Sequence, residues 1–448
     1  YARLTQSCEE LVKHTGSKFD ENKSTESLIS YAQEVTTDIR YKKEVISGTA
    51  FKGPRALNHF DCIKAPCVET CPVEQNVPGY MYSSLERTGS AFDVVFNRNP
   101  LPTITGFACD QPCRNRCVRN LIDNPLLIRE IKRYIALNDP SSATLKPGHK
   151  RGQRAVVIGA GPSGLAFAFF AALEGFDVDV YEARGESGGM VADVIPSFRL
   201  GSEQIELDLD RLENLDINFH YHTPVDKSRF EELQKNSDII YTATGAPQSR
   251  KMNIPGEDQA HVVDVLKFLS AVRKNESVLL KDNIAVIGGG NSALDAARTA
   301  KRLVGNQNEV VLVYRRSISE MPANTEEILA AQNEGIKIHE LSQPLEIRQT
   351  EESMQLVCVR TRLGKKDASG RRRPVVVEKS EFILEFGTII PAIGQQTALD
   401  FVDQGIVQSG ASTQQTSIKN LYMGGDALRG PSSIIQAIAD GRSAVLDF

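Results

Sequence analysis

Positive charge is in short supply in this sequence. It has 52 Lys and Arg against 57 Asp and Glu, a formal net charge of -5. No cationic surface is available to neutralise a phosphate backbone or an anionic membrane, so nucleic acid is not expected as a partner. There is no unbroken apolar run either. The most apolar stretch, Ala155 to Phe176, is interrupted by Gly159, Gly161, Pro162, Gly164 and Glu174, and no membrane span is expected. The N-terminus lacks both an initiating Met and a basic region leading into an apolar segment. The C-terminus stops inside a helical pattern, Ile434 to Phe448, so the chain is expected to be part of something longer. Ser-His-Asp and metal-hydrolase patterns are missing as well. What remains is an ordinary globular composition, with 41% apolar and 24% charged residues. At about 150 residues per domain, the 448 residues make roughly three folding units.

Eight cysteines are present, none in a Cys-x2-Cys hook. Cys8 and Cys358 stand alone, and Cys358 sits in an alternating strand pattern where a small buried hydrophobe is expected. The other six form two runs, Cys62-x4-Cys67-x3-Cys71-Pro72 and Cys109-x3-Cys113-x3-Cys117. A secreted disulfide scaffold is short and dense in Cys, unlike this long chain. Structural zinc uses paired hooks that neither run supplies. Thiolates converging from short loops, with a Pro turning the chain away after a ligand, suit iron-sulfur clusters. Two clusters would need eight ligands and the runs supply six. His59 and Glu130 are candidates for the remainder, although a surface role is the simpler reading for either.

The strand-like Ala155 to Ile158 runs into Gly159-Ala160-Gly161-Pro162-Ser163-Gly164 and then an Ala-rich helix. In this context the first Gly permits a tight turn, the second lets a pyrophosphate approach, and the third allows close helix packing. The helix N-terminus faces the anion. The next strand, Asp177 to Tyr181, ends at Glu182, 18 residues past Gly164. A carboxylate there accepts from ribose hydroxyls and repels a ribose phosphate, which selects FAD or NAD over NADP. A second copy, Gly288-Gly289-Gly290-Asn291-Ser292-Ala293, follows the strand Ile284 to Ile287. Its partner strand, Val310 to Tyr314, ends in Arg315-Arg316, 22 residues past Ala293, and two guanidinium groups suit the 2'-phosphate of NADP. Two dinucleotides are therefore expected. Later strand ends, Thr244-Gly245, Gly394 and Gly424-Gly425-Asp426, return the chain to a cofactor. Asp426 can accept from a ribityl hydroxyl, and the helix opening at Pro431-Ser432-Ser433 aims its positive dipole end at an electron-rich ring.

Taken together, the cysteine runs, Gly188-Gly189-Met190, Ile195-Pro196-Ser197-Phe198-Arg199-Leu200, the Gly288 loop, Tyr314-Arg315-Arg316, Glu320-Met321-Pro322-Ala323 and Gly424-Gly425-Asp426 resemble the small subunit of NADPH-dependent glutamate synthase and its relatives. The resemblance spans about residues 40 to 448. Within that family the overall likeness is greatest to proteins described as selenate reductase iron-sulfur subunits. It implies an α/β fold with two Rossmann-like domains, one inserted in the other, preceded by an α-helical iron-sulfur domain. The expected boundaries are 1–150 for the helical domain with two 4Fe-4S clusters, 151–260 and 388–448 for FAD, and 261–387 for NADPH. By similarity, Cys62, Cys67 and Cys117 share one cluster, and Cys71, Cys109 and Cys113 the other. Ala183, Arg184, Gly189, Met190, Arg199, Thr244, Gly245, Ser433 and Ile434 join the flavin contacts on the same basis. The chain departs from the family pattern at His59, where most relatives have Cys, and at Lys132, where some have Gln or Glu.

Hydride transfer moves two electrons and a cluster takes one, so a flavin is the required converter and the protein's task is positioning. The leading expectation is a cytoplasmic, NADPH-oxidising electron-input module delivering electrons to a partner subunit or fused domain. Electron flow in the reverse or bifurcating sense is one alternative. A non-catalytic docking scaffold with degraded cluster sites is the other. The lack of Cys-x2-Cys beside the flavin motifs argues against the thioredoxin reductase class.

Overall fold

The computed structural model describes residues 64–86, 90–138, 148–351, 353–402 and 414–448. Of these, 64–67 and 112–126 belong to one compact unit and the rest to a second. The larger unit is built on two parallel sheets. The first runs in the order Leu421–Met423, Ile239–Thr242, Arg154–Ile158, Asp177–Tyr181, Ile217–His220. Its central strand is buried along almost its whole length. That burial is why it reads as an unbroken apolar run, as strands covered on both faces do. The helix Pro162–Leu173 that follows is apolar on all sides because it lies between this sheet and the C-terminal helix Ile434–Asp447. Pro162 opens it at a position whose N–H has no helical acceptor.

The second sheet runs in the order Thr388–Pro391, Ile284–Ile287, Val310–Val313, Lys337–His339. Its strands lie inside the chain segment between Ile239–Thr242 and Leu421–Met423 of the first sheet, which makes it the inserted domain. Thr388–Pro391 pairs with Ile284–Ile287, so the insertion extends past the boundary at 387. A three-stranded antiparallel sheet of Ser342–Gln349, Met354–Lys366 and Arg372–Phe386 packs on it. Cys358 lies in its middle strand, fully buried, and burial pushes the thiol up to about 12.

The helices Val77–Glu86, Ala91–Phe96, Pro102–Ala108 and Ile128–Asn138 belong to the same unit as the sheets. Buried charge ties them to the helix Ser202–Glu213. Asp208, on the helix Ser202–Glu213, accepts from the Thr103 and Ile104 N–H groups at 3.1 and 2.7 Å. Those donors are the free N-terminal amides of Pro102–Ala108, where a carboxylate is favoured. Arg211 pairs with Asp208 at 2.6 Å and donates to the Ala136 carbonyl at 3.1 Å. The smaller unit holds the helix Pro112–Asn115 and the 3-10 turn Val118–Leu121, with Arg119 paired to Asp123. Among the described residues, no helix is long and apolar enough to cross a membrane.

Candidate functional site

At the carboxyl end of the first sheet lies a cavity of about 470 Å³, within the range of cofactor sites. Glycine geometry opens it. Gly159 has φ +101°, and a Cβ there would meet the Ala243 carbonyl at 2.6 Å. A Cβ at Gly164 would sit 1.9 Å from the Gly159 oxygen, so that position admits no side chain. Backbone at Gly161 and Gly245, in contrast, faces space, with nothing nearer than 3.9 Å to a Cβ at either. Thr244 lines the cavity with a buried hydroxyl that has no partner among the described residues. Bare backbone and an orphaned hydroxyl fit a phosphate-bearing, hydroxyl-rich ligand such as FAD.

Of the residues expected from sequence, Gly159, Gly161, Pro162, Ser163, Glu182, Ala183, Arg184, Gly189, Met190, Arg199, Thr244, Gly245, Asp426, Ser433, Ile434, Asn291 and Ser292 all line this cavity. Gly164 and Gly425 lie behind the wall as close-packing positions. The Gly425 N–H donates to Asp440 at 3.0 Å, and a Cβ there would meet Ser163 at 2.8 Å. Glu182 is buried, and its carboxylate accepts from the Ala160 N–H at 2.8 Å and the Arg184 N–H at 2.9 Å. It therefore braces the glycine loop as well as facing the cavity. Burial pushes the Asp426 carboxyl up, and its Oδ1 accepts from the Ser432 N–H and hydroxyl at 2.9 and 2.8 Å. Arg199 is spent on protein carboxylates. It reaches Asp295 at 2.7 Å and Glu327 at 3.2 Å.

Sequence reasoning missed four contributors. Asp440 holds the Gly425 turn and pairs with Arg429 at 2.9 Å. Tyr241, fully buried, shares a hydrogen bond of 2.7 Å with Ser163. Ala108 and Asp110, on either side of Cys109, line the same cavity; adjacency to a cysteine was the one available signal. The turn before the helix Thr325–Asn333 gathers these parts. The Asn324 N–H donates to Asn291 at 3.0 Å and its amide to Asp110 at 3.3 Å. Glu326 takes Arg129 at 2.9 Å and Gln111 at 3.4 Å, and Glu327 takes Arg199 and Arg298.

In the inserted domain, Gly288 has φ +148° and its Cβ would meet the Ala392 carbonyl at 2.3 Å, while Gly290 faces open space. Both lie outside the lining of the cavity, as do Arg315 and Arg316. Arg315 is exposed. Arg316 is not free: it is buried, with Nη2 on Asp367 at 2.9 Å and Nε on the Arg372 carbonyl at 2.7 Å. Arg315 is thus left with an exposed guanidinium, and Arg316 with one already paired to Asp367.

Five of the six run cysteines are described, none of them in a disulfide: Cys71 and Cys109 in the larger unit, and Cys67, Cys113 and Cys117 in the smaller. Cys62 and His59 lie outside the described residues. Burial pushes the Cys71 thiol up, while the Gln75 and Val73 N–H groups and the Lys132 charge favour its thiolate. The Gln111 N–H points at Cys109 Sγ at 3.5 Å. Lys132 is buried, and Glu130 pairs with Arg129 through one oxygen while the other stays buried without a partner among the described residues. No group of three His, Cys, Asp or Glu among the described residues converges as a single-ion site. Soft thiols on short turns, with N–H groups aimed at sulfur, fit an iron-sulfur group.

Two glycine-loop sheets opening on one cavity define a flavin- and nicotinamide-dependent oxidoreductase. Residues 153–441 match the family model for pyridine nucleotide-disulphide oxidoreductases, and the chain belongs to that family. Residues 42–143 match dihydropyrimidine dehydrogenase domain II, 4Fe-4S cluster, so an iron-sulfur domain precedes the FAD and NAD(P) domains. Across 153–441 the only cysteine is Cys358, so this segment carries no cysteine pair for disulphide chemistry. The chain is 32% identical over 439 residues to the NADP(+)-dependent formate dehydrogenase subunit beta of Moorella thermoacetica, covering 90% of this chain and 62% of that protein. It is 29% identical over 408 residues to the glutamate synthase [NADPH] small chain of Azospirillum brasilense, covering 84% of each. The chain thus spans less than two-thirds of the first relative. FprA from Mycobacterium tuberculosis, in complex with NADPH, shares the fold with a TM-score of 0.56 at 20% identity, over 66% of this chain and 84% of that one.

Proposed function

We propose that the chain is an electron-input module that oxidises NADPH and passes electrons through FAD and 4Fe-4S clusters to a partner subunit or fused domain. One observation carries this reading: a single cavity is lined by the first glycine loop, by Asn291 and Ser292 of the second, and by the residues flanking Cys109. Bound FAD would supply the exchange between a two-electron hydride donor and one-electron carriers. The chain's own contribution is placement. Gly161 and Gly245 leave room for backbone to approach the cofactor, and Glu182 and Asp440 hold the two turns on either side. The Asn324 turn ties the second loop to the cysteine run. The relatives' names, an NADP-dependent formate dehydrogenase subunit and an NADPH-dependent glutamate synthase chain, support a nicotinamide-fed subunit whose acceptor lies beyond this chain.

The test uses anaerobically purified protein. Iron and acid-labile sulfide are assayed, and NADPH is then added while flavin and cluster absorbance are followed separately. Wild type is expected to contain both elements and to bleach at both. Cys109→Ser is expected to keep flavin reduction and lose electron delivery to a distant acceptor dye. Protein without iron and sulfide would favour a docking scaffold and overturn the proposal.

A further inference from the structure

Sequence pattern offers Arg315 and Arg316 equally to a ribose phosphate, and the structure treats them differently. Arg316 is buried, and both of its bonds go to a turn about fifty residues further on. Its Nη2 meets Asp367 at 2.9 Å and its Nε meets the Arg372 carbonyl at 2.7 Å. Those residues bracket the tip of the hairpin formed by Met354–Lys366 and Arg372–Phe386, in which Lys366 pairs with Arg372. A second tie comes from the Arg372 N–H, which donates to Glu320 at 2.9 Å. The tip is thus fastened at two points to the segment 316–320, directly after the strand whose end reads as the ribose position.

The fastened tip is strongly basic. Residues 365–373 contain Lys365, Lys366, Arg371, Arg372 and Arg373 against one acid, Asp367, and that acid is the one paired with Arg316. Arg315 is exposed, its carbonyl takes the Thr361 hydroxyl at 2.8 Å, and its guanidinium has no hydrogen bond or ion pair among the described residues. Tyr314 connects this corner to the second glycine loop, because a Cβ at Gly289 would meet its ring at 2.6 Å.

We propose that Arg316 is a positioning residue that seats this hairpin, and that the charge selecting a 2'-phosphorylated nucleotide comes from Arg315 together with Lys366 and Arg372 of the tip. The inference rests on the reading that the second loop takes NADPH. A guanidinium already paired with Asp367 brings little net charge to a phosphate, whereas an unpaired one brings all of it.

The rival assignment, Arg316 as a direct phosphate ligand, gives the opposite outcome in one variant. Flavin-loaded protein is titrated calorimetrically with adenosine 2',5'-bisphosphate and with 5'-AMP. Arg315→Ala and the double variant Lys366→Ala/Arg372→Ala are each expected to weaken the bisphosphate about tenfold, the loss of a charge-assisted contact. Asp367→Ala is also expected to weaken it, although it removes a negative charge, because the hairpin is no longer seated. Binding of 5'-AMP stays unchanged in all three and reports an intact fold. A bisphosphate affinity that holds or rises in Asp367→Ala overturns the seating role, and one unmoved in the double variant overturns the role of the tip. Wild type that binds both probes equally would instead refute the NADPH reading, and this inference with it.

Discussion

Glu182 is the residue at which cofactor order can be tested most directly. Its carboxylate accepts two backbone N–H groups, a buried one at 2.8 Å from Ala160 and a part-buried one at 2.9 Å from Arg184. Replacing it with Ala strands both donors and removes the acceptor facing the cavity. Each hydrogen bond to a charged group contributes about 1.5 to 3 kcal/mol, so the gross loss is about 3 to 6 kcal/mol. Water entering the vacated space restores part of it. A net loss of about 1.4 to 2.8 kcal/mol corresponds to a tenfold to hundredfold weaker hold on FAD. The assay is flavin absorbance per protein after desalting, with nicotinamide binding titrated in parallel. Glu182→Gln keeps one carbonyl acceptor and should fall between wild type and Glu182→Ala. Nicotinamide affinity should hardly move. A Glu182→Ala protein that keeps its flavin and loses nicotinamide binding would refute the reasoning, since the first loop would then hold the nicotinamide nucleotide.

Arg199→Ala leaves Asp295 and Glu327 facing each other without their shared cation, and breaking such a buried pair costs about 3 to 5 kcal/mol. Denaturant unfolding that shows less than 1 kcal/mol would contradict this placement of the charge. Asp208 gives a pH dependence, because burial pushes its carboxyl up to about 6 from an ordinary 3.8. Between those values the folded state holds a proton that the unfolded chain has released, so the contribution is full below about pH 4 and is lost as pH rises through 6. Wild type should therefore lose thermal stability relative to Asp208→Asn from pH 4.5 to 7.5, and a gain would overturn the assignment.

The glycine loops were readable from sequence because their requirements are local. A strand, a positive-φ turn and a helix start lie within ten residues, and the strand Asp177–Tyr181 was placed to the residue. The pairing of Arg316 was not legible because its partners, Asp367 and Arg372, arrive from a hairpin that the chain forms only later. The expected boundary at 387 falls just before Thr388–Pro391, a short buried apolar run that suits either sheet until its pairing with Ile284–Ile287 is seen. Asp110 and Ala108 gave no sign of a cavity role beyond adjacency to Cys109, since packing of Pro102–Ala108 against Ser202–Glu213 brings them there. Cys62 and His59 lie outside the described residues.

The turn at 324–327 is bonded to the second glycine loop through Asn291, to the cysteine run through Asp110 and Gln111, and to the flavin-side segment through Arg199. Releasing it would separate Arg129 from Glu326 and Arg199 from Glu327. The larger unit is therefore expected to melt as one cooperative block, whose calorimetric enthalpy matches that of a single transition. Heat that reaches the helices around Cys109 would then release the nucleotides in the same step, so partial damage would not leave behind a flavoprotein that leaks electrons to solvent.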